Sequence, residues 1–367
     1  MVNRVMETND GPFLSLLRGV DTVPELNALQ WEGLLRGAQG AALLPRIAVK
    51  LKARNLFPNL PLKVRERLEA SLVIAAKNEV EVRWEVDRIL WSLREVDVPI
   101  VLLKGAVYVM ADLSPAPGRL ASDVDILVPK SALENVEQAL VAAGWNAMKL
   151  DAYDQRYYRD WMHEIPPLRH HERNSVIDVH HTILPVTARL RPNAESFRHA
   201  ARPLGSPRLM VLEPVDIVLH AMVHLFYDGD LDGRLRELLD LDDLLRQFAG
   251  EPEFWDRLVP RAVEQELVRS LFYGLRHCRR VLATPVPDNV LAASLVGAPS
   301  RPAIFMMDWL VGKVILPQPP EQVTLVIGLA RFVLYVRSHW ITIPPFLLVR
   351  HLTRKGFSRL RSETAKT

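Results

Sequence analysis

The spacing of apolar residues changes along the chain, and each change marks a different kind of element. Between Phe13 and Arg54, Leu14, Leu17, Leu26, Leu29, Leu34 and Leu35 recur at three- and four-residue steps, which predicts helices. From about Leu62 to Glu95 a single long helix is expected, with Leu68, Leu72, Ala75, Ala76, Val80, Trp84, Ile89 and Leu90 mostly on one side. Its other faces carry Arg65, Glu66, Glu69, Lys77, Glu81 and Arg83, the composition of a solvated surface. The helical period then gives way to short continuous runs. Ile100 to Leu103 is unbroken and apolar, as in a central strand, and a helix is expected from Ala106 to Ala111. Val124 to Val128 forms a second strand closed by Pro129. Ser131 and Glu134 have the spacing of a capping box for a helix to about Ala143, and Gly144 is placed to end it.

Beyond this the pattern alternates once more before turning helical for good. His163 to Arg169 contains Pro166-Pro167 and predicts only an edge or irregular strand. Glu172 to Ser175 predicts a turn, and Val176 to Ile183 a clear strand stopped by Pro185. After a Pro-rich link (Pro192, Pro203, Pro207), helices are expected from Pro214 to Phe226, from Leu235 to Phe248, through Phe254 to Leu282, and from Asp288 onward. Gly229 and Gly233 flank a loop. Asp240, Asp242 and Asp243 are expected on a solvated face, with Asp240 free to pin Arg234 or Arg236. From Val323 to Trp340, Leu325, Val326, Leu329, Phe332, Val333, Val336 and Trp340 make one broad apolar stripe. Arg331 lies nearly opposite, and with Arg337 it breaks any run of the about 20 residues that a membrane span needs. Ile341 to Val349 is apolar but broken by Pro344-Pro345, and Arg350, Arg354, Lys355, Arg359 and Arg361 follow. Strand–helix–strand–helix followed by a third strand predicts an α/β core between two helical regions.

Composition narrows the setting. The 367 residues are 49% hydrophobic and 24% charged, a folded-protein balance without a disorder signature. Cys278 is the only cysteine, which excludes a disulfide framework and a cysteine-based zinc site and fits a reducing, cytoplasmic setting. The first residues lack the apolar stretch of a signal peptide. A net charge of +3 is too small to predict nucleic-acid binding, and no DNA partner is expected.

The candidate chemistry sits on the short strands. Asp123 and Asp125 are two apart on a strand and therefore share a face, and Asp178 and His180 share a face of the later strand. Three such carboxylates suit hard divalent cations with oxygen ligands: two Mg²⁺ ions are expected, with Mn²⁺ an acceptable substitute. Asp178 would complete the ion on the nucleophile side and take up a proton. Lys104 would meet phosphate as a point charge. Gly105 and Ala106 at the strand-to-helix turn would let backbone amides approach it, and Arg119 would clamp it through a planar fork. His180 is a candidate to orient a ligand or the neighbouring carboxylate.

These residues resemble a known family. The Leu103-Lys104-Gly105 turn, Arg119 followed by the Asp123-Val124-Asp125 strand, and Ile177-Asp178-Val179-His180 are similar to the bacterial uncharacterised nucleotidyltransferase family, within the DNA polymerase β-like nucleotidyltransferase superfamily. The match centres on residues 98–183. Arg234-Leu235 and Leu238-Leu239-Asp240 also resemble the family's Arg-Leu and Leu-x-Asp helix. The resemblance implies an α/β (α+β) nucleotidyltransferase core with a mixed sheet, flanked by N-terminal helices and a C-terminal helical region. The implied layout is a cap at 1–97, a catalytic core at 98–190, a helical substrate or partner domain at 208–349 and a basic tail at 350–367. It also implies Mg²⁺-dependent transfer of a nucleoside monophosphate from an NTP, ATP among the candidates, to an acceptor that is a small molecule, a protein or an RNA. One departure stands out: where the wider superfamily has Gly-Ser, this chain has Gly105-Ala106 and lacks the hydroxyl.

Other readings compete. A non-catalytic nucleotide-binding or membrane-surface protein that keeps the fold is the alternative, supported by Gly105-Ala106 and by the apolar, basic C-terminus. That C-terminus is a candidate for weak contact with the inner face of a membrane. His163, His170, His171, His180 and His181 gather around the third strand, and His220 and His224 are one helical turn apart. Ala221 stands where a zinc hydrolase of the His-Glu type places its glutamate.

Overall fold

The computed structural model describes residues 11–342 apart from 20, 24, 149–151, 229, 230 and 318–322. The chain begins with helices α1 (Pro12–Arg18), α2 (Ala28–Gly40), α3 (Leu44–Ala53) and the long α4 (Leu62–Ser92). Asn27 caps α2 through a reciprocal box with Gln30, which satisfies two backbone donors that the first turn leaves open. Then come β1 (Ile100–Leu103), α5 (Lys104–Met110), β2 (Asp123–Leu127), α6 (Leu133–Ala142), β3 (Trp145–Ala147), α7 (Ala152–Trp161), β4 (Leu168–His170) and β5 (Val176–His180). The chain continues with α8 (Ala194–Ala200), β6 (Arg202–Leu204), β7 (Ser206–Val211), α9 (Pro214–Val223) and α10 (Leu235–Phe248). It closes on α11 (Phe254–Glu264), α12 (Val268–Leu282), α13 (Asp288–Ala293), α14 (Arg301–Val314) and α15 (Leu325–Thr342).

The strands form one seven-stranded mixed sheet in the order β3-β4-β5-β2-β1-β7-β6. β1 and β2 are antiparallel, with Leu103 opposite Asp125, and β2 and β5 are parallel, with Asp125 opposite Asp178. β1 and β2 are buried almost throughout, which explains their short, continuous apolar runs. One hydrophobic core runs from Leu14 through the sheet to Leu334. Among the described residues, no single helix is long and apolar enough to cross a membrane.

Several local expectations need correction. Ser131 and Glu134 form no capping box: Lys130–Ala132 is a short 3₁₀ turn after Pro129, and α6 starts later, with Ala132 at its cap position. The Pro-rich link holds α8 and the β6–β7 hairpin, turned at Gly205 with a φ of 69°. Prolines hid this hairpin, yet Pro203 lies on the edge strand and Pro207 precedes Leu209, where pairing with β1 is under way. On α4, Val80 and Trp84 are exposed, while Val82, Val86 and Glu85 are buried. Trp84 instead lies beneath the Arg173 guanidinium, 5.3 Å from its ring centre. On α15, Ile327, Ala330 and Leu334 face the core, and the predicted stripe lies largely on the outside. Gly229, the stretch from Ile343 and the basic tail fall outside the described residues.

Candidate active site

Three side chains converge because strand geometry brings them together. Asp123 and Asp125 point to one face of β2, and the parallel register sets Asp178 of β5 directly beside Asp125. One carboxylate oxygen from each lies within 4.8 Å of those from the other two. Asp178 Oδ1 is buried and has no hydrogen-bond partner among the described residues. Burial, followed by the charges of Asp125 and Asp123, pushes the Asp178 carboxyl up to about 7. A buried oxygen without a donor, among like charges, is the arrangement a cation would relieve, so the donor set fits a divalent ion with oxygen ligands.

The surroundings of Asp125 differ. Burial alone would raise its pKa, but Lys104 and His180 outweigh burial and hold it well below the usual carboxylate range. Lys104 Nζ donates to Asp125 Oδ1 at 2.6 Å, and His180 Nε2 lies 3.0 Å from the same oxygen. Both contacts fall on Oδ1, and Oδ2 takes part in neither. Lys104 opens α5 with a φ of 47°, a left-handed conformation costly for a side chain with a Cβ. His180 Nε2 also lies 3.3 Å from Glu164 Oε2, so a second cluster, His163, Glu164 and His180, adjoins the acidic one. Glu164 reaches it because its backbone bridges to His180 beside the main ladder. This is the histidine-containing cluster close enough to hold a metal among the described residues; His220 is buried in α9, and His224 lines the neighbouring cavity.

Arg119 occupies a bracing position. Its Nε donates to Asp240 Oδ2 at 2.8 Å, and its guanidinium lies over Tyr108 at 5.3 Å. The same Asp240 accepts from Arg46 Nη1 at 2.7 Å, and Asp243 takes Arg46 and Lys50. Asp242 accepts from Thr284 and Arg246. Asp240, Asp242 and Asp243 are therefore buried or largely so, and not on the solvated face expected for them, while Arg234 and Arg236 pair with Glu237 and not with Asp240. Gly105 has a reason beyond ligand approach: a Cβ there would come within 2.2 Å of Arg119 Nη1. Ala106 is fully buried behind it.

A cavity of about 440 Å³ joins these groups, lined by Lys104, Arg119, the three aspartates, Glu164, Arg234, Arg236 and Glu237 among others. Asn78 of α4 anchors the segment just ahead of Asp123 by exchanging two hydrogen bonds with the Ala121 backbone, at 2.9 and 2.8 Å. Sequence reasoning missed Asn78, Glu164, Arg234 and Arg236 as site residues. Asn78 sits on a helix face that reads as solvated, Glu164 lies in a predicted strand broken by prolines, and the two arginines stand at the start of an acidic helix that offers them nearer partners.

A model of uncharacterised nucleotidyltransferases matches residues 27–283. The chain belongs to that family. No curated protein matches it. The matched span covers α2 to α12 and so contains the whole sheet, the three aspartates and the Arg46–Asp240–Arg119 network; α14 and α15 lie beyond it.

Proposed function

We propose that the protein moves a nucleoside monophosphate from an NTP to an acceptor hydroxyl, with Mg²⁺ held by Asp123, Asp125 and Asp178. The observation that carries this is the register of β2 and β5, which sets three carboxylates together at a cavity that Lys104, Arg119, Arg234 and Arg236 also line. Bound divalent ions would neutralise phosphate charge and lower the pKa of the attacking hydroxyl. The residues supply the rest. Asp178, beside Asp125 on the neighbouring strand, is positioned to accept the proton of an acceptor hydroxyl. Lys104 and His180 fix Asp125 in one orientation and keep it ionised. The acceptor is a small molecule, a protein or an RNA.

The test is incubation with NTPs labelled at the α-phosphate or the γ-phosphate, Mg²⁺ and cell extract. Label should pass to an acceptor from the α-position only, and Asp123→Asn or Asp178→Asn should abolish it. Transfer of γ-label would make the protein a kinase. A second reading, nucleotide binding without transfer, draws on the Lys104–Asp125 contact, because the ammonium already neutralises one carboxylate. It predicts saturable NTP binding with no label transferred, unchanged in Asp178→Asn.

A further inference from the structure

The cavity is lined by four cationic side chains, but they are not equivalent. Lys104 is committed to Asp125 at 2.6 Å and Arg119 to Asp240 at 2.8 Å, and both are largely buried. Arg234 and Arg236 are more open, with 34% and 26% of their side chains exposed. They share a single acidic oxygen, Glu237 Oε1, at 3.4 and 3.1 Å, and Arg236 adds only the Leu120 carbonyl at 3.4 Å. Each guanidinium offers a planar fork of several N–H donors, so most of this capacity is unspent on protein. Their position adds a second observation. Arg234 is the N-cap of the fourteen-residue α10 and Arg236 is in its first turn. Cations there oppose the positive end of the helix dipole, an arrangement that an anion would reverse.

We propose that Arg234 and Arg236 bind the phosphate chain of the NTP, supplying side-chain donors that Gly105 and Ala106 of the facing turn do not have. The proposal rests on the nucleotide reading above. With Arg119 held against Asp240, the two arginines of α10 are the cavity's remaining forks for bidentate phosphate contact. Arg236 also ties the start of α10 to the loop that leads into Asp123, so the phosphates and the carboxylates would be positioned by one connected segment.

Isothermal titration with ATP, GTP, CTP and UTP, each with Mg²⁺, and with inorganic tripolyphosphate tests this. The double variant Arg234→Ala/Arg236→Ala should bind the preferred NTP and tripolyphosphate about 10- to 100-fold more weakly. Affinity for the matching monophosphate should change by less than about twofold, since the lost contacts lie further along the chain. Where the Ala pair does not fold, Arg234→Lys/Arg236→Lys carries the comparison: it keeps the charge, loses the fork and should weaken NTP binding about tenfold. If wild type binds none of the four nucleotides, the nucleotide reading falls and this assignment with it. If wild type binds one and the variants bind it equally well, or lose NTP and monophosphate alike, only the arginine assignment falls.

A separate surface carries a second inference. On α15, Arg331 turns inward to Asp232 at 2.9 Å and Arg337 to the Phe226 carbonyl at 3.1 Å. Leu325, Leu329 and Phe332 face outward, 95%, 58% and 63% exposed, and Trp340 is half exposed. Charges in and apolar groups out is the reverse of a solvated helix. Beyond α15 the sequence carries Arg350, Arg354, Lys355, Arg359, Arg361 and Lys366 against Glu363 alone. We infer that α15 docks on an anionic lipid surface, the apolar row entering the headgroup boundary and the following cations meeting lipid phosphates. The full chain should float with vesicles of phosphatidylcholine and phosphatidylglycerol, not with phosphatidylcholine alone, and salt should release it. Leu329→Ser/Phe332→Ser should abolish flotation. Absence of flotation, or a dimer in solution that the same substitutions split, overturns the inference.

Discussion

Asp178 stands out among the individual residues because its neighbours oppose its ionisation. Its carboxyl is raised to about 7 from an ordinary value of 3.8, by burial first and then by Asp125 and Asp123. Folding therefore holds the proton more tightly than the unfolded chain does. The contribution to stability is fully present below about pH 4 and is lost as the pH rises through about 7. Asp178→Asn removes that loss. Without divalent cations the variant should melt at a higher temperature than wild type at pH 8 and at the same temperature at pH 4. Mg²⁺ should close the gap by stabilising wild type selectively. Parallel melting curves for the two proteins across this range would show that Asp178 is not strained by its neighbours. At this scale the sequence was informative where a residue's role follows from alternation: Asp123, Asp125, Asp178 and His180 could be assigned to faces by counting. Arg119 could not be resolved in this way, because its partner, Asp240, lies 121 residues further on.

Elements carry the next level of specification, and the β1–α5 junction shows how tightly it is drawn. Gly105 is followed by buried Ala106 and Val107, and the Arg119 guanidinium crosses the space where a Cβ would be. Arg119 cannot easily yield, since Asp240 binds its Nε and Tyr108 lies beneath it. Gly105→Ala should therefore cost about 1–3 kcal/mol in a urea titration, despite alanine's better helix propensity. A stabilised Gly105→Ala would mean that Arg119 moves freely. The extent of the long helix α4, the strands β1, β2 and β5 and helix α10 was legible from helical period or an unbroken run, but the buried side of α4 around Val82 and Val86 and the burial of Asp240 and Asp242 on α10 were not. The β6–β7 hairpin was not, because its prolines imitate a loop. The faces of α15 were not either: with apolar residues on both sides, periodicity alone does not say which side meets the core.

Across the whole molecule, three regions far apart in sequence meet on one buried carboxylate. Arg46 comes from α3, Arg119 from the loop ahead of the acidic strand and Asp240 from α10, and all three are buried. Arg46 adds a bond to the Pro115 carbonyl at 2.9 Å, so the N-terminal helices grip the site loop from behind. The charges of Arg119 and Arg46 outweigh burial and keep Asp240 below the usual carboxylate range. Substituting Asp240→Asn leaves the Arg119 guanidinium buried against a neutral amide and Arg46 with Asp243 as its remaining carboxylate, a change that costs about 3–5 kcal/mol in comparable buried networks. The hydrophobic core is continuous from the N-terminal helices to α15, so this loss should reach every region at once. In urea, far-UV and near-UV circular dichroism of Asp240→Asn should shift together to a lower midpoint, as a single transition. Replacing all three members with Met or Leu removes the buried charges and leaves Asp243 to Lys50, and should recover much of the loss. If instead the N-terminal helices melt first and the sheet keeps its wild-type midpoint, the network joins neighbouring parts without setting the stability of the fold. The three groups would then matter for the geometry of the loop before Asp123 alone, and Asp240→Asn would impair nucleotide binding while leaving the sheet as stable as before.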